Sequence, residues 1–375
     1  MKIVVAPASF KGTLSAGEAA DAIASGIRGV LPSATILRLP IADGGEGTIE
    51  ALTSGRSTRF LRCRVHGPLY GRKVTARCAL IDNGMTAVIE MSSASGLTLL
   101  PPSFRHPLST TTYGTGELVR RAMDAGARKI LVGLGGSATV DGGTGMARAL
   151  GARFLDSNGK SIGWGGGALS SLSRIDLSAI DPRVAKTEIV AVADVRTPLT
   201  GRSGAARLFA PQKGANPRET SILAENLRRL ASAIERDLGR NVRSLRGGGA
   251  AGGLGAGMAA FLDARIVDGA PSILDAIGFH RAIRGADLLI AGEGRFDRTS
   301  NQGKAPFAAI RAARSAGIPI ALICGSFAAP PRASFCSLVD IAGSLPRAMR
   351  SPRRFLRKAA ENVIRQIVGD ALRRG

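Results

Sequence analysis

The chain has 375 residues, 45% of them hydrophobic and only 4% aromatic, and its net charge of +23 comes mostly from arginine. That length admits two domains, and the scarcity of aromatics means a core of Ala, Val, Ile and Leu, the filling of buried parallel strands and helices. The charge would attract polyanions, but there is no zinc-finger spacing, no RNP-like motif and little aromatic surface for stacking bases, so nucleic acid is not the expected partner.

In chain order, KIVVA (2–6) is an apolar run of strand length that stops at Pro7. Ser15 and Glu18 match a capping box, with Ile23, Ile27 and Val30 at helical spacing behind them. TILRLPIA (35–42) reads as a second strand, completing a β-α-β unit with parallel strands and a right-handed crossover. The middle reads differently. LRCRV (61–65) and KVTARCAL (73–80) alternate apolar with polar, and Asn83-Gly84 signals a hairpin turn into TAVIEM (86–91). An amphipathic helix follows near 116–125, then the strand KILVG (129–133), the loop GLGGSATVDGGTGM (133–146), a short helix MARALGA and the strand EIVAVADV (188–195).

The first pattern resumes near the C-terminus. ADLLIAG (286–292), IPIALICG (318–325) and LVDIAGS (338–344) read as strands, alternating with a helix over 305–317, and a basic amphipathic helix runs from about Pro352 to Leu372. The two ends therefore supply a doubly wound parallel sheet from residues 1–50 and 285–375. Residues 51–284 read as an inserted α/β domain with a mixed sheet.

Cys63, Cys78, Cys324 and Cys336 show no C-x-x-C spacing and read as reduced thiols. No apolar run approaches membrane-spanning length, and the first is too short for a signal peptide. A cytoplasmic protein with no membrane partner is expected.

Ligands of open parallel sheets bind beyond the carboxyl ends of the strands. Four such loops carry charge or glycine: PASFKGTLS (7–15) with Ser9 and Lys11; ADGGEGT (42–48) with Asp43, Gly44, Gly45 and Glu46; GEGRFDRTSNQGKAP (292–306) with Glu293, Arg295, Asp297 and Lys304; and CGS (324–326). Only about a fifth of the basic residues are lysine, yet Lys11, Lys213 and Lys304 each sit in or beside a glycine-bearing loop, where a compact ammonium suits a phosphate. Six of the fourteen residues in 133–146 are glycine. That loop reads as a phosphate-cradling nest, with Ser137 and Thr139 hydroxyls and Asp141 for a metal. It also matches G-x-G-x-x-A through Gly133, Gly135 and Ala138, with Asp156 further on, so a dinucleotide site stands as an alternative. Asp194 closes an apolar strand, where a carboxylate is either paired or functional. Lys213 in APQKGA is as readily an ordinary surface residue, and GGGAAGGLGAG (247–257) could be a hinge, a linker or another anion nest. Three histidines in unrelated contexts give poor support for a histidine metal cluster or a Ser-His-Asp triad, and there is no Walker A motif. Lysines, carboxylates and bare amides suit phosphoryl transfer with Mg²⁺.

The ordered motifs PASFKGTLSA, IADGGEGT, EMSSASGL, TTTYGTGEL, GLGGSATVDGGTGM, FAPQKGA, AAGGLGAG, GEGRFD and GKAP resemble the bacterial glycerate kinase family. The resemblance implies a flavodoxin-like domain interrupted by a second α/β domain, and ATP-dependent phosphorylation of D-glycerate to a phosphoglycerate, with 2-phosphoglycerate favoured. On that reading Lys11, Asp194, Glu293 and Lys304 are catalytic, in a cleft between the domains. Gly135, Gly136, Ser137, Thr139, Gly142, Gly143 and Lys213 hold ATP; Ser9, Gly44, Gly45 and Arg295 hold glycerate; Asp43, Glu46, Asp141 and Asp297 hold Mg²⁺. A homodimer is a possible assembly. The chain departs from the family pattern at Ala8, Val140, Thr197 and Thr299, which leaves a weakened or inactive relative as an alternative.

Overall fold

A computed structural model describes residues 1–296, 304–328 and 334–373. In chain order the strands of the two principal sheets are β1 (Lys2–Pro7), β2 (Thr35–Arg38), β3 (Arg59–His66), β4 (Lys73–Ile81), β5 (Thr86–Glu90), β6 (Lys129–Gly133), β7 (Glu188–Ala193), β8 (Arg265–Asp268), β9 (Leu288–Gly292), β10 (Ile320–Cys324) and β11 (Ser334–Ser337). The chain divides into two compact units. One comprises Met1–Asp43, Glu50–Ser54 and Gly269–Gly375, the other Gly44–Ile49 and Gly55–Asp268.

In the first unit the sheet order is β11-β10-β9-β1-β2, and every pairing is parallel. This is the flavodoxin-like order. From β1 the chain moves one way to β2, and from β9 it moves the other way through β10 to β11. The reversal places a topological switch point between β1 and β9, where such sheets leave a crevice. Register carries the apolar run of one strand against that of the next, Val4 beside Leu289 and Pro7 beside Gly292. Ile3, Val5, Ile290 and Ile323 face the helices Ala16–Val30 and Pro352–Leu372, while Val4, Ala6 and Leu289 face Gly269–Ala276 and Ala305–Ser315. The first helix starts where Ser15 and Glu18 form their reciprocal capping box.

In the second unit the order is β8-β7-β6-β5-β4-β3, with β5 to β8 parallel and the β3–β4–β5 meander antiparallel. The sheet is mixed, and Asn83 takes the left-handed conformation at the β4–β5 turn (φ 56°). Pro217–Leu238 is a long covering helix, opened by an Asn216/Glu219 capping box and closed by left-handed Gly239.

Two sequence expectations change. LVDIAGS is not a strand: β11 ends at Ser337, whose hydroxyl accepts from Asp340 N to cap the helix Leu338–Ala342, and Gly343 ends that helix in the left-handed region. A short segment with four apolar residues fits either state, and the caps decide. GGGAAGGLGAG is neither hinge nor linker. Ala250–Leu262 is a helix, nearly all of it buried, with Ala251, Gly252 and Gly253 left-handed in its first turn.

Candidate functional site

The switch-point edge of the first unit is assembled from backbone contacts. Ala8 N donates to Gly292 O at 2.8 Å, joining the segments that leave β1 and β9. The turn that follows is closed by Phe10 N to Leu14 O at 2.9 Å and Leu14 N to Phe10 O at 3.0 Å, leaving Lys11 exposed at its tip. A Cβ on Gly294 would sit 3.4 Å from Lys11 N, and one on Gly325 would strike Gly294 O at 2.2 Å, so the loops after β1, β9 and β10 lie against one another. Past β2 the chain keeps bonding to β1, Leu39 N to Val5 O at 2.8 Å and Ile41 N to Pro7 O at 3.0 Å, which carries Asp43 to the same edge. Half-buried Ser9 and Glu293 and exposed Arg295 belong to these loops, and Lys304 is the N-cap of the helix Ala305–Ser315. An ammonium and two carboxylates thus lie on loops at one edge of the sheet, the edge at which open parallel sheets bind ligands.

The carboxyl edge of the second unit is built around the glycine loop. Gly135 N donates to Gly44 O at 3.1 Å, and a Cβ on Gly135 would come within 2.3 Å of Gly45 Cα. Glu90, at the end of β5, fixes the same neighbour: its Oε1 accepts from Gly47 N at 3.1 Å and Ile49 N at 2.9 Å. Burial pushes this carboxyl's pKa up, while the two amides oppose the shift. Asp141 is fully buried. Its Oδ2 accepts from Thr112 N (2.7 Å), Thr112 Oγ1 (2.9 Å), Gly145 N (3.2 Å) and Thr111 Oγ1 (3.3 Å), and its Oδ1 accepts from Gly143 N (3.1 Å). Burial raises its pKa and these donors pull it back. Lys213 is also buried, its Nζ 2.7 Å from Ser137 Oγ and 2.8 Å from Thr139 O. Desolvation lowers its pKa to about 7, with Asp141 acting in the opposite direction. Thr110 Oγ1 donates to Ala138 O and Ala138 N to Ser95 O, so the loop is held from several sides. Gly136 remains exposed at its crest.

Comparison with known proteins puts a family to this arrangement. The model of the glycerate kinase family matches residues 3–368, a span that includes every loop described above. The chain belongs to the glycerate kinase family. A glycerate kinase of Halalkalibacterium halodurans is 45% identical over 368 residues, covering 96% of this chain and 97% of that protein. A glycerate 2-kinase of Escherichia coli is 45% identical over 326 residues, 87% of this chain and 85% of that one. A crystal structure assigned to glycerate kinase 2 of Salmonella typhimurium LT2 superposes with a TM-score of 0.86 at 42% identity, covering 99% of each chain.

Within this family member the structure redistributes several expected roles. Asp141, expected to hold a metal, is fully buried and accepts five hydrogen bonds, two from its own loop and three from Thr111 and Thr112. Lys213 is not a surface residue: it is buried, and its amine lies against Ser137 Oγ and Thr139 O. The dinucleotide alternative fails on topology. Arg153–Leu155, the strand before Asp156, pairs with Arg174–Asp176 in a separate two-stranded antiparallel sheet. Asp156 accepts from Asn158 N and Lys160 N in a local turn. Asp194 is exposed directly beyond β7, and Glu46 is exposed as well. Asp297 and Thr299 lie outside the described residues. Among the described residues, no group of three or more His, Cys, Asp or Glu is arranged to hold a metal, and no helix is long and apolar enough to cross a membrane.

Glu90, Ser95 and Thr110–Thr112 were not singled out by sequence reading, although they belong to the motifs EMSSASGL and TTTYGTGEL. Glu90 had the same signal as Asp194, an acid closing an apolar strand.

Proposed function

We propose that the chain transfers the γ-phosphoryl group of ATP to a hydroxyl of D-glycerate, giving ADP and a phosphoglycerate, with 2-phosphoglycerate the favoured product. The observation that carries this reading is the family match across all the loops that converge on the carboxyl edges of the two sheets. In the first unit, exposed Lys11 and the helix N-terminus at Lys304 are suited to neutralise phosphate or carboxylate charge, and Ser9 and Arg295 to orient the acid. In the second, the exposed crest at Gly136 offers backbone to the phosphates, and Gly44 and Gly45 lie beside it.

The hydroxyl oxygen of glycerate forms the new bond to phosphorus as the bond to the bridging oxygen of ADP breaks, and its proton passes to a carboxylate. Asp194 and Glu293 stand directly past strand ends and are the candidates for that proton and, with Asp43, for Mg²⁺. The fit to Mg²⁺ is adequate, because kinases hold it by one or two carboxylates and the nucleotide's own phosphates. When bound, the ion neutralises charge on the transferring group. We place this activity in the cytoplasm.

Coupled ADP release, measured with Mg²⁺-ATP and a panel of small hydroxy acids, tests the reading. Turnover should be greatest with D-glycerate, and phosphorus NMR should identify the phosphorylated hydroxyl. Background rates with every acid would leave the inactive relative as the better description.

A further inference from the structure

Phosphoryl transfer as outlined makes no use of the buried pair formed by Lys213 and Ser137. A lysine with no water around it is uncommon, because an unpaired ammonium is costly to bury. Here it is set in place with some care. Gly214, next in the chain, is left-handed (φ 99°) and packs so closely on Arg105 that a Cβ would strike the Arg105 carbonyl at 2.2 Å. Nζ then bridges Ser137 Oγ and Thr139 O, immediately behind exposed Gly136. Ser137 itself retains 8% exposure.

The two protonation states of Lys213 present this serine with opposite polarity. An ammonium has three donors and no acceptor, so when charged it donates to both oxygens, and the Ser137 hydroxyl hydrogen must point away, toward whatever lies at the crest. A neutral amine can donate to Thr139 O while its lone pair accepts the Ser137 hydrogen, which turns the hydroxyl inward. A phosphate oxygen at the crest needs a donor and is itself negative; both features favour the ammonium.

We propose that binding of a nucleotide phosphate at the Gly135–Ser137 crest is coupled to uptake of one proton by Lys213, which turns the Ser137 hydroxyl outward to meet the ligand. The proposal rests on the nucleotide reading given above. The proton comes from the buffer. Of the charged groups around the amine, Asp141, on the same loop as Ser137, favours the ammonium. The helix Ala250–Leu262, which packs on Thr139, has no titratable side chain before its end, and the hydroxyls of Thr110–Thr112 carry no charge. Since burial holds the free lysine near neutrality, uptake belongs to the alkaline side of it and fades on the acid side, where the amine is already charged.

Titration calorimetry of the full chain with Mg²⁺-ADP, in buffers of different ionisation enthalpy, reads this directly. Near pH 8 the observed enthalpy should vary with buffer to give roughly 0.5–1 proton taken up per site, falling toward none near pH 6. In K213M the buffer dependence should vanish while ADP still binds, about tenfold more weakly. Should K213M not fold, S137A serves instead: it keeps the amine but lacks the outward donor, and uptake should fall below half. Binding without uptake at pH 8 overturns the proposal, as does full uptake in either variant. Absence of ADP binding altogether counts against the nucleotide reading itself, and the proposal falls with it.

Discussion

The crevice of the first unit and the glycine loop of the second handle polar groups in opposite ways. Around β1 and β9 the segments are joined through backbone bonds, and the side chain of Lys11 is left exposed. Around β6 nearly every charge is withdrawn: Asp141 accepts five protein donors, and Lys213 bridges two oxygens of the loop it supports. A lysine beside a glycine therefore means different things in the two places. Exposed, it is available to a ligand at little cost in stability. Buried, it is part of the fold, and reaches a ligand only through the loop that it holds.

The sharpest test of this contrast is D141A. Removing the acceptor for five donors in a dry site should cost about 3–5 kcal/mol. Thermal unfolding followed by Trp164 fluorescence would report it, because the chain's one tryptophan lies 3.6 Å below the guanidinium of Arg148, on the helix that Asp141 helps to start. A loss below about 1 kcal/mol would mean that the donors find other partners. K11A should do the reverse, lowering kcat/KM by roughly 10²–10³-fold with an unchanged melting temperature. A stability loss with activity intact would move Lys11 to the structural side of the comparison.

Next in size is G135A, in which the added methyl group would meet Gly45 Cα at 2.3 Å. The two backbones must separate, at about 1–3 kcal/mol, and KM for ATP should rise together with the loss of stability. If only stability falls, the close approach of these segments is structural alone. The smallest effect is a slope. Lys213 titrates near 7 when folded, below the ordinary lysine value of 10.5. Between those two values the unfolded chain holds a proton that the folded chain has released, so this group's contribution to stability rises with pH. Denaturant titrations from about pH 7 to 9 should show a gain of roughly 1 kcal/mol per pH unit that K213M lacks. A falling or flat difference between the two proteins would mean that the buried amine stays charged.

Much of the fold was legible from local pattern. Continuous apolar runs of strand length marked β1, β9 and β10, the Ser15/Glu18 pair marked the first helix, and Asn83-Gly84 marked the turn between antiparallel strands. All of these signals lie within a few residues of one another, where backbone geometry and capping act. LVDIAGS failed because its apolar residues suit strand and helix alike, and the Ser337 cap outweighed them.

The candidate site was legible as a set of loops but not as a set of roles. Sequence alone could place Lys11, Glu293 and Asp141 in glycine-bearing loops past strand ends, since chain order and strand direction fix that, and Lys213 beside a glycine. It could not tell that Gly135 is bare because Gly45 crosses it, that Gly252 is bare because Thr139 O lies 1.9 Å from where its Cβ would be, or that two of the four charged groups are sealed from water. Those outcomes depend on segments far apart in the chain meeting within a few ångströms. Burial and donor count, which convert a charged residue from ligand contact to scaffold, exist only once they have met.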